Sequence, residues 1–201
     1  MSFVQFLKAI EFAIIKHNGQ SRAGESKDPY IVHPVGVAII AAEAGYVNWH
    51  FLLTACICHD LLEDTNTTEA ELAEKFGDEI LSVVKEVSDN KTLPKLDRKR
   101  LQIEHAPLLS RPAKIVKLCD KIYNVRDCLC GENGSRIKKG WSVEQVQHYV
   151  AWANKVYLAG LKGVNEKLDA IFEDLLKKEF QYFDGTFHPA LPDGWEDFPL
   201  V

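Results

Sequence analysis

The chain lacks any apolar run approaching the roughly 20 residues that cross a bilayer, so no membrane-spanning helix is expected. Its N-terminus, MSFVQFLKAIEFAIIKH, has neither the basic start nor the small-residue cleavage site of a secretory leader. Phe3, Leu7, Ile10 and Ile14 form instead the apolar stripe of an amphipathic helix. Cysteine is sparse and odd in number, five in 201 residues. Cys56, Cys58 and Cys119 lie in apolar helical segments, which reads as buried free thiols in a reducing, cytoplasmic compartment. The C-x-C pairs Cys56/Cys58 and Cys128/Cys130 lack zinc-ribbon spacing, so no cysteine metal site is expected. Positive charge is in deficit: a net charge of −5 argues against a general nucleic-acid binder while leaving room for a local basic pocket. Alternating strand patterns are missing as well, and neither an internal repeat nor a linker divides the chain.

What is present is helical. An apolar fraction of 46% and a charged fraction of 26% are ordinary for a globular protein, and a chain of this length buries roughly 70% of its unfolded surface. Apolar periodicity predicts an all-α, compact helical bundle, with helices over roughly 2–17, 34–44, 48–63, 68–75, 77–89, 95–105, 111–130, 142–164 and 165–181. Thr68 with Glu71 and Ser142 with Gln145 offer capping boxes, and Ser110 before Pro112 offers a cap and first turn. The stretch GENGSRIKKG (131–140) reads as a mobile loop. Residues 1–182 are expected to form one domain, and 183–201 an irregular tail packing Phe187 and Trp195 on the body.

One segment carries chemistry. In TACICHDLLEDT, His59, Asp60, Glu63 and Asp64 stand at i, i+1, i+4 and i+5, spacings that gather them on one flank of a helix. The rest of that helix is apolar. Buried charge is costly unless it is paired or coordinates a metal, and three carboxylates beside an imidazole point to a divalent cation. Further ligands must come from elsewhere. Asp120 sits in the apolar helix AKIVKLCDKIYNVRD with Asn124 one turn later and Lys117 one turn earlier; it reads either as a ligand or as half of an ordinary salt bridge. His33, before Pro34, reads either as a helix-start group or as a second imidazole. With both, the set becomes two histidines and two aspartates with open positions for water and substrate.

The ordered series KHNGQSR, PYIVHPVGVA, CHDLLEDTNTT, FGDEI, DNKTLPKLDRKRLQIEHAP and KLCDKIYNVRD resembles the HD-domain hydrolases of the RelA/SpoT family, most closely the small stand-alone metazoan SpoT-like members. The likeness runs over about residues 5–180. It implies a single-metal, Mn²⁺-dependent 3′-pyrophosphohydrolase acting on guanosine tetraphosphate (ppGpp). It implies His33, His59, Asp60 and Asp120 as metal ligands, Glu63 and Asp64 as the catalytic pair, Asn124 near the metal and Arg22 against the nucleotide. Lys95, Lys117, Lys121 and Tyr149 are further candidates for substrate contact, each with a plain structural alternative on a helix surface or core edge. Lys99 and Arg100 share a helix with Lys95. No synthetase activity, nucleic-acid partner or membrane partner is expected; oligomeric state is left open.

Three departures from the resemblance bear on affinity rather than chemistry. Arg22 is followed by Ala23 where the family reads Arg-Lys, with Lys27 as a substitute; the 131–140 loop is long; and Gln145 stands where relatives carry an arginine. Two other readings stand beside the first. One is a phosphatase removing the 2′-phosphate of NADPH, and the other a catalytically silent nucleotide-binding module, against which retention of all six metal and acid residues weighs.

Overall fold

The computed structural model describes residues 1–22, 28–129 and 141–200. Ala23, Lys27, Cys130 and the 131–140 segment lie outside the described residues. Helix α1 (Phe3–Lys16) begins at Ser2, whose hydroxyl accepts from Gln5 N while the Gln5 side chain accepts from Ser2 N. Helix α2 (Val32–Ala41) runs into a π-helical turn, Ala42–Tyr46, that ends where Gly45 takes φ +110°. Then follow α3 (His50–Cys58), α4 (Leu61–Asp64), α5 (Glu69–Phe76), α6 (Asp78–Val87) and α7 (Lys95–His105). Helix α8 (Arg111–Leu129) is the longest; α9 (Val143–Val156) and α10 (Glu166–Leu176) complete the bundle. Thr68, Ser142 and Asn165 cap α5, α9 and α10 with their side-chain oxygens, as their residue types favour.

Helix α8 is the axis of the molecule. It packs against α2, α3, α6, α9 and α10, and Ile115, Leu118 and Ile122 along it are fully buried. A helix surrounded on so many sides must be apolar nearly all round, so the polar residues it buries, Lys117, Asp120 and Lys121, have to be held by partners. Helices α2 and α3 pack against each other as well as against α8. The three elements bearing His33, His59–Asp60 and Asp120 are therefore neighbours. Cys56, Cys58 and Cys119 are buried free thiols, and Cys128 is buried as well. Among the described residues no helix is long and apolar enough to cross a membrane.

Two expectations need correction. The helix anticipated over 48–63 is broken at His59–Asp60, where Asp60 has φ −97° and ψ −2° and α4 restarts at Leu61. The His59 ring satisfies a helix-end carbonyl, Nδ1 lying 2.7 Å from Cys56 O. The break thus turns the imidazole inward without leaving that carbonyl bare. The second correction concerns the C-terminal segment. The helix expected to reach 181 ends at Leu176, and the supposedly irregular tail contributes to an antiparallel hairpin, β1 (Glu179–Gln181) with β2 (Phe187–Pro189), Phe180 facing His188. Asp184 and Gly185, at φ +89°, supply the turn, Asp184 Oδ1 accepting from both Thr186 N and Thr186 Oγ1. Strands of three residues are too short to announce themselves by alternation. Phe180 and Ala190 are buried, whereas Phe187 points outward and is 64% exposed rather than packed.

Candidate active site

The bundle brings four ligand-grade side chains to one point. His33 Nε2, from the first turn of α2, lies 3.3 Å from both Asp60 Oδ2 and Asp120 Oδ1. His59 Nε2 lies 3.1 Å from Asp60 Oδ2 and 3.9 Å from Asp120 Oδ1. Ligand atoms of His33, His59 and Asp60 all fall within 4.8 Å of one another. His59 tests whether a cation fits. Its Nδ1 is spent on the Cys56 carbonyl, which in the neutral ring leaves Nε2 as a lone pair. That Nε2 is buried with no hydrogen-bond partner among the described residues and faces carboxylate oxygens. Lone pair against anion is repulsive unless a positive charge lies between them. A divalent cation supplies it, and the backbone carbonyl that orients a metal-bound histidine through its other nitrogen is already in place. In the absence of a cation a proton takes that role: burial alone would lower the His59 pKa, but Asp60 and then Asp120 raise it to about 9. Asp60 is correspondingly held well below the usual carboxylate range, burial being outweighed by His59 and His33.

The acidic pair lies beside this group. Tyr30 donates its hydroxyl to Asp60 Oδ2 at 2.7 Å and sits 3.0 Å from Asp64 Oδ2, joining the two carboxylates. Lys91 bridges Glu63 Oε1 and Asp64 Oδ1, both at 2.9 Å, and Asp89 N donates to Glu63 Oε2 at 3.0 Å. Burial raises the Glu63 pKa against the opposing pull of the Asp89 N–H and Lys91.

A chamber of about 200 Å³ holds these groups. Arg22, Lys117, Lys121, Asn124 and Tyr149 all line it. Lys95 lines a larger, front cavity of about 670 Å³ that meets the chamber at Glu63, Asn124 and Tyr149. Asn124 donates to Asp120 Oδ1 at 2.5 Å and accepts from Arg22 at 2.9 Å; Arg22 also pairs with Asp127 at 2.7 Å. Lys121 lies 3.5 Å from Asp120 Oδ2 and 4.1 Å over the Trp152 ring. Lys117 donates to Val87 O at 2.9 Å. Lys99 lines the front cavity, whereas Arg100 is turned outward to Asp97 and Glu104. Gln145 spends its side chain on the α9 cap. Tyr30, Asp89 and Gln102 in the chamber wall and Lys91 at the front cavity also belong to the site, although their residue types alone do not mark them. Tyr30 and Lys91 occur inside the motif series, but only the fold reveals that they tie the carboxylates together.

Behind His33, Tyr123 packs edge-on with ring centroids 4.8 Å apart. Gly36 lies against that ring, and a Cβ there would fall 2.1 Å from Tyr123 Cε2. Helix propensity favours Ala by about 0.5–1 kcal/mol, but overpacking costs about 1–3 kcal/mol, so the clash wins. Gly36→Ala is expected to lower stability in urea unfolding and to weaken turnover by pushing Tyr123 into His33; a variant more stable than the wild type with full activity would contradict this.

A protein-family model described as "HD domain" matches residues 9–155. A Xenopus tropicalis protein named guanosine-3′,5′-bis(diphosphate) 3′-pyrophosphohydrolase MESH1 is 47% identical over 173 residues, 84% of this chain and 93% of that protein. Its human namesake is 45% identical, covering 87% and 94%. A solved structure described as a metazoan ortholog of SpoT that hydrolyzes ppGpp superimposes with a TM-score of 0.80 at 32% identity, over 88% of this chain and 96% of that one.

Proposed function

Since the chain belongs to the HD-domain family and is closely related to the MESH1 enzymes, we propose that it is a ppGpp 3′-pyrophosphohydrolase using one Mn²⁺. The observation that carries this reading is the junction of a His/Asp cluster and a half-buried acid pair in one chamber with a lysine-lined cavity that adjoins it. His33, His59, Asp60 and Asp120 would hold the cation; the two carboxylates suit manganese, and the two imidazoles complete a mixed nitrogen and oxygen set. When bound, the cation neutralises phosphoryl charge and polarises water.

The remaining work falls to the protein's own groups. Lys95, Lys99 and Lys91 face the front cavity and suit the 5′-diphosphate, while Lys117 and Lys121 at the chamber's inner side suit the 3′-pyrophosphate. Arg22 and Asn124, locked to one another, present a rigid edge to the nucleoside, and Tyr149 closes the wall. Water attacks the phosphorus attached to the ribose 3′ oxygen. A new O–P bond forms, the P–O3′ bond breaks, and one proton passes from water through the Glu63–Asp64 pair to the departing oxygen. The products are GDP and pyrophosphate. Incubation with ppGpp and Mn²⁺ is therefore expected to yield the two in equal amounts by chromatography, without free phosphate as the primary product. An untouched ppGpp peak beside conversion of NADPH to NADH and phosphate would overturn the assignment in favour of a 2′-phosphatase.

A further inference from the structure

Adjoining the chamber lies a third space, the rear cavity, of about 420 Å³ between the end of α6, residues 88–90 and α7. It shares Val87, Asp89, Gln102 and Lys117 with the chamber and no residue with the front cavity. The chamber therefore adjoins both cavities, and a largely polar partition separates it from the rear one. Two of the partition's members are long, rotatable side chains, Gln102 and Lys117. Gln102 Nε2 reaches both Asp89 oxygens at 2.9 and 2.8 Å, and its buried Oε1 has no partner among the described residues. Arg98, on the rear wall, likewise buries an Nε without a partner, and its Nη1 stands 3.9 Å from Asp89 Oδ2 and 4.0 Å from Glu63 Oε1. Beyond the partition Lys85 also lines the cavity, its ammonium paired with Glu69 Oε2 at 2.7 Å. The rear carboxylates are engaged, Glu86 with Ser110 N at 2.6 Å and Asp89 with Gln102.

Hydrolysis leaves pyrophosphate in the inner chamber with GDP across the front. A front-only route would make the deeper product wait for the shallower one. We propose that the rear cavity is the exit and transient binding site for inorganic pyrophosphate, reached by rotation of Gln102 and Lys117 and guided by Arg98. This rests on the ppGpp reading above.

Leu101 and Leu109 line the rear cavity alone and are only partly buried, so Leu101→Trp and Leu109→Trp narrow it from two walls without touching the chamber. In either folded variant, single-turnover formation of GDP measured by rapid quench should match the wild type. Release of pyrophosphate, followed with a coupled pyrophosphatase, should slow about tenfold and become rate-limiting, as product release commonly does. Wild-type release in both variants, or equal slowing of cleavage and release, overturns the exit while leaving the hydrolase assignment intact. Association of added inorganic pyrophosphate with the resting protein should slow in the same two variants. That arm needs no turnover, so it judges the route even if ppGpp is not cleaved; unchanged association rates would sink it.

Discussion

Asp60→Asn is expected to lose bound metal and catalytic turnover together. Asp60 Oδ2 is the atom on which the site converges, 3.3 Å from His33 Nε2, 3.1 Å from His59 Nε2 and 2.7 Å from the Tyr30 hydroxyl. An amide keeps the shape but removes the charge. It leaves Asp120 as the one carboxylate facing both histidines, and it can turn an N–H toward the place a cation would occupy. Loss of even a group that only hydrogen-bonds a metal ligand costs about 10–100-fold in affinity or activity, so loss of an anionic ligand should exceed that. Packing should survive because the change is isosteric. The measurement is metal content by elemental analysis beside turnover, for the variant and for wild type stripped with a chelator and then refilled with Mn²⁺. Full turnover in a sample shown to be free of metal would refute the role given to all four ligands.

How much of this centre is legible in the sequence depends on where each residue lies along the chain. His59, Asp60, Glu63 and Asp64 are visible together because they are local: charge packed at helical spacing into a six-residue window of an apolar segment is hard to place anywhere but at a metal or acid–base site. Even there the inferred geometry is too simple, since the helix breaks at His59–Asp60 and the cluster forms around the break. His33 and Asp120 are separated from that window by long stretches of chain, and no periodicity links them. Residue chemistry allows each two readings, and only the motif series of a known family points to one. The ties that organise the carboxylates are not legible at all. Tyr30 to Asp64 and Lys91 to Glu63 are tertiary contacts, and neither residue type signals such a role on its own. Capping is the opposite case: Ser142 with Gln145 is readable from spacing and is present as a full box, which is also why Gln145 is committed to the helix end. The hairpin near the C-terminus escapes notice because its strands are too short to show a period, although Asp184-Gly185 is a turn signal in plain view.

Glu63→Gln and Asp64→Asn are expected to separate chemistry from metal binding. Neither carboxylate approaches the histidines as Asp60 and Asp120 do, and both are tied instead to Lys91. Each variant should therefore fold and keep its metal. The amide of Glu63→Gln can still accept from Asp89 N, so the loop carrying Lys91 should hold its place. What disappears is the capacity to take and return a proton, a loss of about 10²–10⁴-fold in kcat for a positioned acid or base, with KM little changed. Burial raises the Glu63 pKa, which suits that carboxyl to hold and pass a proton. Lys91 opposes that rise, so Lys91→Met should move the Glu63 pKa further up. A limb of the pH–rate profile set by Glu63 should then shift to higher pH whether the group serves as base or acid: as base its ionised form appears later, and as acid its protonated form persists longer. Because Lys91 also faces the front cavity, the profile is read at saturating ppGpp. Wild-type kcat in both Glu63→Gln and Asp64→Asn would make the pair structural, and an unmoved profile in Lys91→Met would remove Glu63 from proton transfer.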